Sequence, residues 1–302
     1  MDANWSYQIL SEEEGMTLGR LLRTKGFSAR QLSRLKFRER GIWLDGKKCR
    51  TSQPVKTGQR VELFLDDPDG QTAEPCLKEH AGFHILYEDD TVVLVYKPAG
   101  IPSHPCHGFW TENAGTWVQE YVSQKGHSGR IRAIGRLDKD TRGLMLYAKN
   151  QASAARLWEQ REKGIFRKSY HGLILGHLPA MEGDITTLVG GKEAFTHYQV
   201  LSSSALLQHV RFNLKSGRTH QIRIHMAGLG CPILEDPLYG GCRDETCRTG
   251  MGLKNRPDSL ALEADLIRWQ HPFTGKEISL GKEPVWDAAS LETDPDCFWS
   301  FM

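Results

Sequence analysis

The stretch Gly135-Arg136-Leu137-Asp138-Lys139-Asp140-Thr141-Arg142-Gly143 sets a carboxylate, Asp138, among three cations and runs directly into the apolar segment Leu144-Met145-Leu146-Tyr147-Ala148. A short apolar run bounded by turn residues reads as a buried strand. The preceding loop then holds Asp138 at the rim of a rigid scaffold, where catalytic groups tend to sit. A solvated charged turn is the plain alternative. A second candidate is Tyr170 in the β-rich run Lys168-Ser169-Tyr170-His171-Gly172-Leu173-Ile174-Leu175, either a core residue or a ring available to a substrate. The third is Leu214-Lys215-Ser216-Gly217-Arg218-Thr219-His220-Gln221-Ile222-Arg223-Ile224-His225-Met226, rich in cations. Ile222, Met226 and Leu229 recur at helical spacing, with Thr219 to cap the helix and Gly230 to stop it. Arg218 then precedes the helix and Arg223 lies one turn inside; a fold-stabilising ion-pair network would also use these residues.

The elements that must hold these groups follow from periodicity. Ile85–Tyr87 and Val92–Tyr96 read as a hairpin around an Asp-rich turn, and Lys97-Pro98 breaks its second strand. Trp117, Val118, Tyr121 and Val122 give Thr116–Gln124 a core-facing helix. A helix is expected from Gln151 to Lys163, with Ala154, Ala155, Leu157 and Trp158 inward and Gly164 as its stop. Leu260–Trp269 is strand material ending in a His271-Pro272-Phe273-Thr274-Gly275 turn.

Charge divides the chain. Residues 16–65 hold 13 Lys and Arg against 3 Asp and Glu, while the 302 residues together carry only +2. A small basic module on a mildly acidic body is the footprint of a polyanion partner. Within it, Leu18, Leu21 and Leu22 predict a helix stopped by Gly26, and Ser28-Ala29-Arg30-Gln31 predicts a capping box opening a second helix. Arg30, Arg34 and Arg38 would share one face of that helix, with Gly41 ending it. Strands are expected at Ile42–Leu44 and Val61–Phe64. Residues 66–80 are polar and turn-rich and read as a linker.

With 39% hydrophobic and 25% charged residues, the chain has the composition of a soluble globular protein with room for one large core and a small extra domain. No apolar run reaches the length of a membrane helix, and the N-terminus lacks the pattern of a secretory signal. Seven scattered cysteines suggest reduced thiols and a cytoplasmic setting. Cys242 with Cys247, and His104 and His107 with Cys106, lack a second ligand pair, so no metal site is expected.

Arg136-Leu137-Asp138-x-x-Thr141-x-Gly143 resembles the signature of the RluA family of RNA pseudouridine synthases, with Gly135 where that family usually has His and Arg142 where it usually has Ser. The Lys97-Pro98-Ala99-Gly100 turn, the Lys168-x-Tyr170 start and the Gly217-Arg218-Thr219-His220-Gln221-Ile222-Arg223-x-His225 run resemble its other motifs. So does Gly230-x-Pro232-Ile233-x-Glu235-Asp236-x-x-Tyr239, save that Glu235 stands where Gly is usual. Ser28-x-x-Gln31-x-x-x-Leu35, Gly41-x-x-x-x-Asp45-Gly46-Lys47 and Lys56-x-Gly58-Gln59-x-Val61 resemble an S-four RNA-binding domain. The resemblance covers nearly the whole chain from residue 13.

It implies an α+β fold: a mixed, mainly antiparallel central sheet with flanking helices and loops over residues 81–302, behind an S-four module over 13–65. It implies isomerisation of uridine to pseudouridine in RNA, with Asp138 as nucleophile, Tyr170 packing on the target base and Arg223 paired with Asp138. Such a guanidinium would keep a carboxylate ionised in a dry pocket. Arg136 is expected to fill the gap left by the displaced base. Thr141, Arg218, His220 and Gln221, with Arg30, Arg34 and Arg38 of the module, are expected to contact the substrate. The isomerisation transfers no external group, so no cofactor or metal is implied, nor an obligate protein partner. The basic module favours large-subunit ribosomal RNA over transfer RNA. Two rivals remain at this point: a non-catalytic RNA-binding or ribosome-assembly factor, and a metal-dependent phosphoryl-transfer enzyme using Asp138, Asp140 and nearby histidines.

Overall fold

A computed structural model describes residues 5–27, 29–38, 41–65, 80–240 and 257–282, the side chains of Arg30 and Arg34 excepted. Cys242, Cys247 and the Ser28 capping position fall outside the described residues.

The N-terminal unit comprises strands β1 (Trp5–Gln8), β2 (Ile42–Leu44), β3 (Lys47–Lys48) and β4 (Arg60–Leu63), with helices α1 (Leu18–Thr24) and α2 (Ala29–Leu35). Its sheet runs β1-β4-β2-β3, so it starts at Trp5 and takes in residues ahead of position 13. Leu18, Leu21 and Leu22 form the inner face of α1, and Gly26 at φ +84° supplies the left-handed stop. The second helix is shorter than its basic spacing suggests. It ends at Leu35, and the Arg38 amide closes a turn onto the Leu35 carbonyl at 3.1 Å. Arg38 therefore lies beyond the helix and does not continue a stripe with Arg30 and Arg34.

The larger unit is built from β5 (His84–Glu88), β6 (Val92–Lys97), α3 (Ala114–Gln124), β7 (Arg132–Ala133), β8 (Arg142–Ala148), α4 (Gln151–Glu162), β9 (Arg167–Leu175), β10 (Glu182–Ile185), β11 (Thr196–Ser203), β12 (Leu207–Leu214), α5 (Gln221–Gly228), β13 (Leu262–Gln270) and β14 (Glu277–Gly281). Ten strands form one sheet with β10-β11-β12-β9-β13-β8-β6-β5 as its path; β14 pairs with β13 and β7 with β8. Every pairing is antiparallel except β13 with β8. The expected mixed, mainly antiparallel α+β architecture is what the chain adopts.

Strand periodicity explains the two-sided core. In β6, Val93 and Val95 face one layer while Val92, Leu94 and Tyr96 face the other, and β8 divides likewise into Met145 and Tyr147 against Leu144, Leu146 and Ala148. Ala114, Val118 and Val122 of α3 and Ile222 and Met226 of α5 close the first face; Ala154 and Leu157 of α4 close the second. Asn150 caps α4 by accepting from the Ser153 amide at 2.9 Å. Ala155 and Trp158, expected inward, point out, and Trp158 is 43% exposed. The buried face of α4 is Ala152, Ser153, Ala154 and Leu157, and at 100° per residue Ala155 and Trp158 fall just outside that sector, on the far side of Ala154.

The two units meet at Arg156 of α4. Its guanidinium packs against the stacked Phe27 and Phe273 rings, 4.4 and 4.3 Å from their centroids. It donates to the carbonyls of Lys25 at 2.8 Å, Gly26 at 3.1 Å and Pro272 at 2.7 Å.

Candidate active site

Strand register brings the first two candidates together. Ala264 of β13 pairs with Gly143 of β8 on one side and with Tyr170 of β9 on the other. The loop leading into β8, which carries Asp138, therefore opens beside Tyr170. Gly143 is required at this point. Its φ is +116°, and a Cβ there would collide with the Ala264 backbone.

Asp138, Tyr170 and Arg223 all line one cavity of about 740 Å³, together with Arg136, Thr141, Arg218, His220 and Gln221. The Asp138 side chain is 17% exposed; its Oδ2 accepts from the His220 amide at 3.1 Å, and its Oδ1 lies 3.4 Å from Arg136 Nη2. His220, not Thr219, takes the N-cap of α5, in a left-handed conformation with φ +55°. A non-glycine residue in that region is uncommon and clusters at functional sites. Here it turns the first free amide of the helix toward the carboxylate. The His220 ring Nδ1 lies 3.1 Å from the Tyr239 hydroxyl.

Arg223 reaches a different carboxylate from the one expected. Its Nε and Nη2 donate to Asp236 at 2.8 and 2.7 Å, a bidentate pair in which both side chains are within 1% of full burial. No hydrogen bond or ion pair joins it to Asp138 among the described residues. The turn after α5 sets Asp236 alongside, where Oδ1 also accepts from the Leu238 and Tyr239 amides. A planar guanidinium is best matched by such a fork. Burial works to raise the Asp236 carboxyl, and the Arg223 and Leu238 bonds outweigh it, so it lies below its ordinary value. Among the described residues Arg136 is the cation within ion-pair reach of Asp138, while Arg223, Lys97 and Lys168 act on it through space.

Gln221 is likewise committed to the scaffold. Its Oε1 accepts from the Arg218 amide and the Ser216 hydroxyl, and its Nε2 donates to the Phe195 carbonyl and the Thr196 hydroxyl. It holds the loop before α5 to β11. Thr141 is buried, and its amide closes the turn onto the Asp138 carbonyl at 3.2 Å. Arg218 is exposed and donates through Nε to the Glu193 carbonyl at 3.0 Å. Tyr170 is 9% exposed; burial pushes its phenol up, and its hydroxyl makes no hydrogen bond among the described residues. The Lys168 ammonium lies 5.3 Å from the Tyr170 ring centroid and is pushed well down by burial and by repulsion from Arg161 and Lys97.

Two supports under the Asp138 loop were not foreseen. Lys97, fully buried, donates through Nζ to the carbonyls of Pro98 at 2.8 Å, Ile101 at 2.6 Å and Lys139 at 2.9 Å. Burial pushes it down to about 7, against the pull of Asp140 and Asp138. Ser103 donates to the Leu137 carbonyl at 2.5 Å and accepts from the Leu137 amide at 2.9 Å. The sequence clue for Lys97 was a lysine closing an otherwise apolar strand.

The three departures from the family pattern find local reasons. Gly135 has φ +86°, and a Cβ there would fall 2.5 Å from Arg161 Nη1. Arg142 pins the segment before β13 by donating to Asp258 at 3.0 Å and to Ser259. Glu235 adopts φ +61°, the conformation that glycine takes at no steric cost, so the turn keeps its course. Among the described residues no group of three or more His, Cys, Asp or Glu could hold a metal ion.

The family model described as RNA pseudouridylate synthase matches residues 91–228. The chain is 33% identical over 240 residues to the uncharacterised RNA pseudouridine synthase YhcT of Bacillus subtilis, covering 74% of this chain and 75% of that one. It is 32% identical over 260 residues to the ribosomal large subunit pseudouridine synthase D of Buchnera aphidicola, covering 79% and 80%. In three dimensions it is similar to human RNA pseudouridylate synthase domain containing 4, with a TM-score of 0.53 and 24% identity over 66% of this chain and 88% of that one. With its sheet, its motifs and its relatives in agreement, this chain belongs to the RluA-type RNA pseudouridine synthases, enzymes that isomerise uridine in RNA.

Proposed function

We propose that the enzyme acts through Asp138 as nucleophile on a uridine of large-subunit ribosomal RNA. The observation that carries this reading is the placement of the Asp138 carboxylate, partly exposed in the cavity and oriented by the His220 amide and Arg136, beside a Tyr170 whose hydroxyl is uncommitted. The reaction breaks the bond between ribose C1′ and uracil N1, turns the base and closes a bond from C1′ to C5, after which the C5 proton is lost and N1 takes one up. Asp138 supplies the carboxylate, and Tyr170 the ring against which the freed base is held. Base–aromatic stacking contributes about 1–3 kcal/mol, comparable with the few kcal/mol needed to unstack the nucleotide. Arg136, with its side chain 52% exposed at the mouth, is long enough to occupy the space that the uridine leaves.

Arg223 serves at one remove, fixing Asp236 and the turn that presents Tyr239 to His220. His220 in turn orients Asp138. Ribosomal RNA is favoured over transfer RNA by the concentration of positive charge in residues 16–65 and by the large-subunit ribosomal substrate for which relatives such as the Buchnera enzyme are named.

The test is pseudouridine mapping on transcribed large-subunit ribosomal RNA and on transfer RNA, with the wild-type protein and Asp138→Asn. New pseudouridine in the ribosomal RNA with wild type, none with the variant and equal RNA affinity for both is the expected result. Turnover by Asp138→Asn removes Asp138 from the mechanism, and modification confined to transfer RNA removes the substrate assignment.

A further inference from the structure

Most cations lining the cavity have a contact within the protein. Arg136 faces Asp138, Arg223 grips Asp236, Arg218 donates to the Glu193 carbonyl, Arg167 to the Gly164 carbonyl and Lys163 to Glu159, while Lys215 lies over the Phe195 ring. Lys168, like Lys215, has a ring contact in place of an acceptor; among the arginines of the lining, Arg161, on the last turn of α4, is different. Among the described residues its guanidinium has no hydrogen-bond acceptor and no carboxylate partner, and its ring contact is the exposed Trp158 at 5.1 Å.

Its position is nonetheless fixed by the shape of its surroundings. A Cβ at Gly135 would fall 2.5 Å from Nη1, and one at Gly217 would fall 2.6 Å from Nη2. The guanidinium thus lies between two loops, one carrying Asp138 three residues after Gly135 and the other carrying His220 three residues after Gly217. The absence of a side chain at both positions makes the space. Gly217 is not in the left-handed region, so its own backbone does not call for glycine. Arg161 also acts on its neighbours, since its charge opposes protonation of Lys168 and favours ionisation of Tyr170. Cations dominate this cavity, with Asp138 and Glu162 as the acids among its lining residues. A planar fork of donors aimed at no protein acceptor suits a phosphate.

We infer that Arg161 binds an RNA backbone phosphate next to the target uridine, seated between the Gly135 and Gly217 loops. The inference rests on the reading that the uridine is held at Asp138. A nucleotide there has its own phosphates on either side of the sugar, and Arg161 stands against both loops that form the carboxylate's surroundings.

The full-length protein is assayed for pseudouridine formation, and for binding of transcribed large-subunit ribosomal RNA across a range of salt concentrations. Arg161→Ala is expected to raise KM about ten- to a hundredfold with kcat within about threefold. It should also lower the slope of log affinity against log salt by about 0.7–0.9, the loss of one phosphate contact. Arg161→Lys should restore the slope and part of the KM. Gly217→Ala, whose methyl displaces Nη2, should raise KM in the same direction by a smaller factor. Unchanged KM and unchanged salt slope in an Arg161→Ala protein that melts like wild type overturn the inference, as does a loss confined to kcat. Absence of pseudouridine with wild type instead defeats the uridine reading, while the salt slope of binding still decides for or against the phosphate contact.

Discussion

The floor and the rim of the cavity use the same residue types to opposite ends. On the floor, the lining residues Gln221 and Arg223, and Lys97, Ser103 and Asp236 that brace the lining from behind, are buried and bonded to protein groups. On the rim, Arg136, Lys163 and Arg218 are exposed and loosely held, and Arg161 has no acceptor. The difference is one of desolvation. A charge taken out of water must be matched within the fold, and deleting its partner strands it, whereas an exposed charge contributes about 0–1 kcal/mol to stability and stays available to a ligand. On the proposed reading, floor residues set where Asp138 stands and rim residues set how RNA is held.

The sharpest way to break this division is at its most buried pair. Arg223→Ala should cost about 3–5 kcal/mol of stability in urea unfolding, because it leaves Asp236 charged and buried. Since the Asp236 carboxyl is lowered on folding, its stabilising contribution is present above the unfolded value of about 3.9 and is lost as pH falls through the lower native value. The acid limb of a stability profile should show this in wild type and lose it in Asp236→Leu with Arg223→Met. An Arg223→Ala protein as stable as wild type would place Arg223 on the rim.

Lys97→Met is the next largest effect. With three carbonyls deprived of their donor, kcat should fall about tenfold or more while KM stays within about twofold, read from initial rates of pseudouridine formation. Its titration gives a second readout. The native value of about 7 lies below the unfolded value of about 10.4, so between them the unfolded chain binds more protons and the lysine's contribution to stability rises with pH. Urea titrations at pH 7 and pH 9 should show that rise in wild type and its absence in Lys97→Met.

Tyr170→Phe sits between floor and rim and should sharpen the boundary. Stacking survives, so KM should hold within about twofold while kcat drops about three- to tenfold if the hydroxyl moves a proton. An unchanged kcat limits the residue to stacking. The smallest effect is expected from Arg218→Ala: stability within about 0.5 kcal/mol of wild type, KM raised about fivefold and a shallower salt dependence of RNA binding. A change in kcat alone would move Arg218 to the floor.

Much of the scaffold was legible in sequence, because its signals are local. The apolar run after Gly143, the apolar spacing of α3 and the Gly26 stop each express periodicity or turn chemistry within a few residues. The motif loops that converge on the cavity were also legible, through their resemblance to one family. Pairing over distance was not. That Arg223 would choose Asp236 over Asp138 depends on a turn whose geometry is set by Glu235 at positive φ. Lys97 read as a strand terminator because its three acceptors are backbone carbonyls, which leave no mark in sequence. Arg161 was invisible for the converse reason, since its place is defined by two glycines lying 26 residues before it and 56 after it. Trp158 stands four residues after the buried Ala154, and spacing did not reveal that the buried sector of α4 runs through Ala152 and Ser153 instead.

Helix α4 carries Arg156 at the junction with the N-terminal unit and Arg161 at the cavity, five residues or about 7.5 Å of helical rise apart. A domain joined only by a tether adds to affinity through local concentration, which varies with tether length. A domain braced on a rigid rod behaves as a gauge. If the basic unit binds RNA as proposed, the strand lying along it is offered to Asp138 at a set spacing, and inserting residues between 66 and 79 should leave the choice of uridine unaltered, while weakening the Arg156 clamp should blur it.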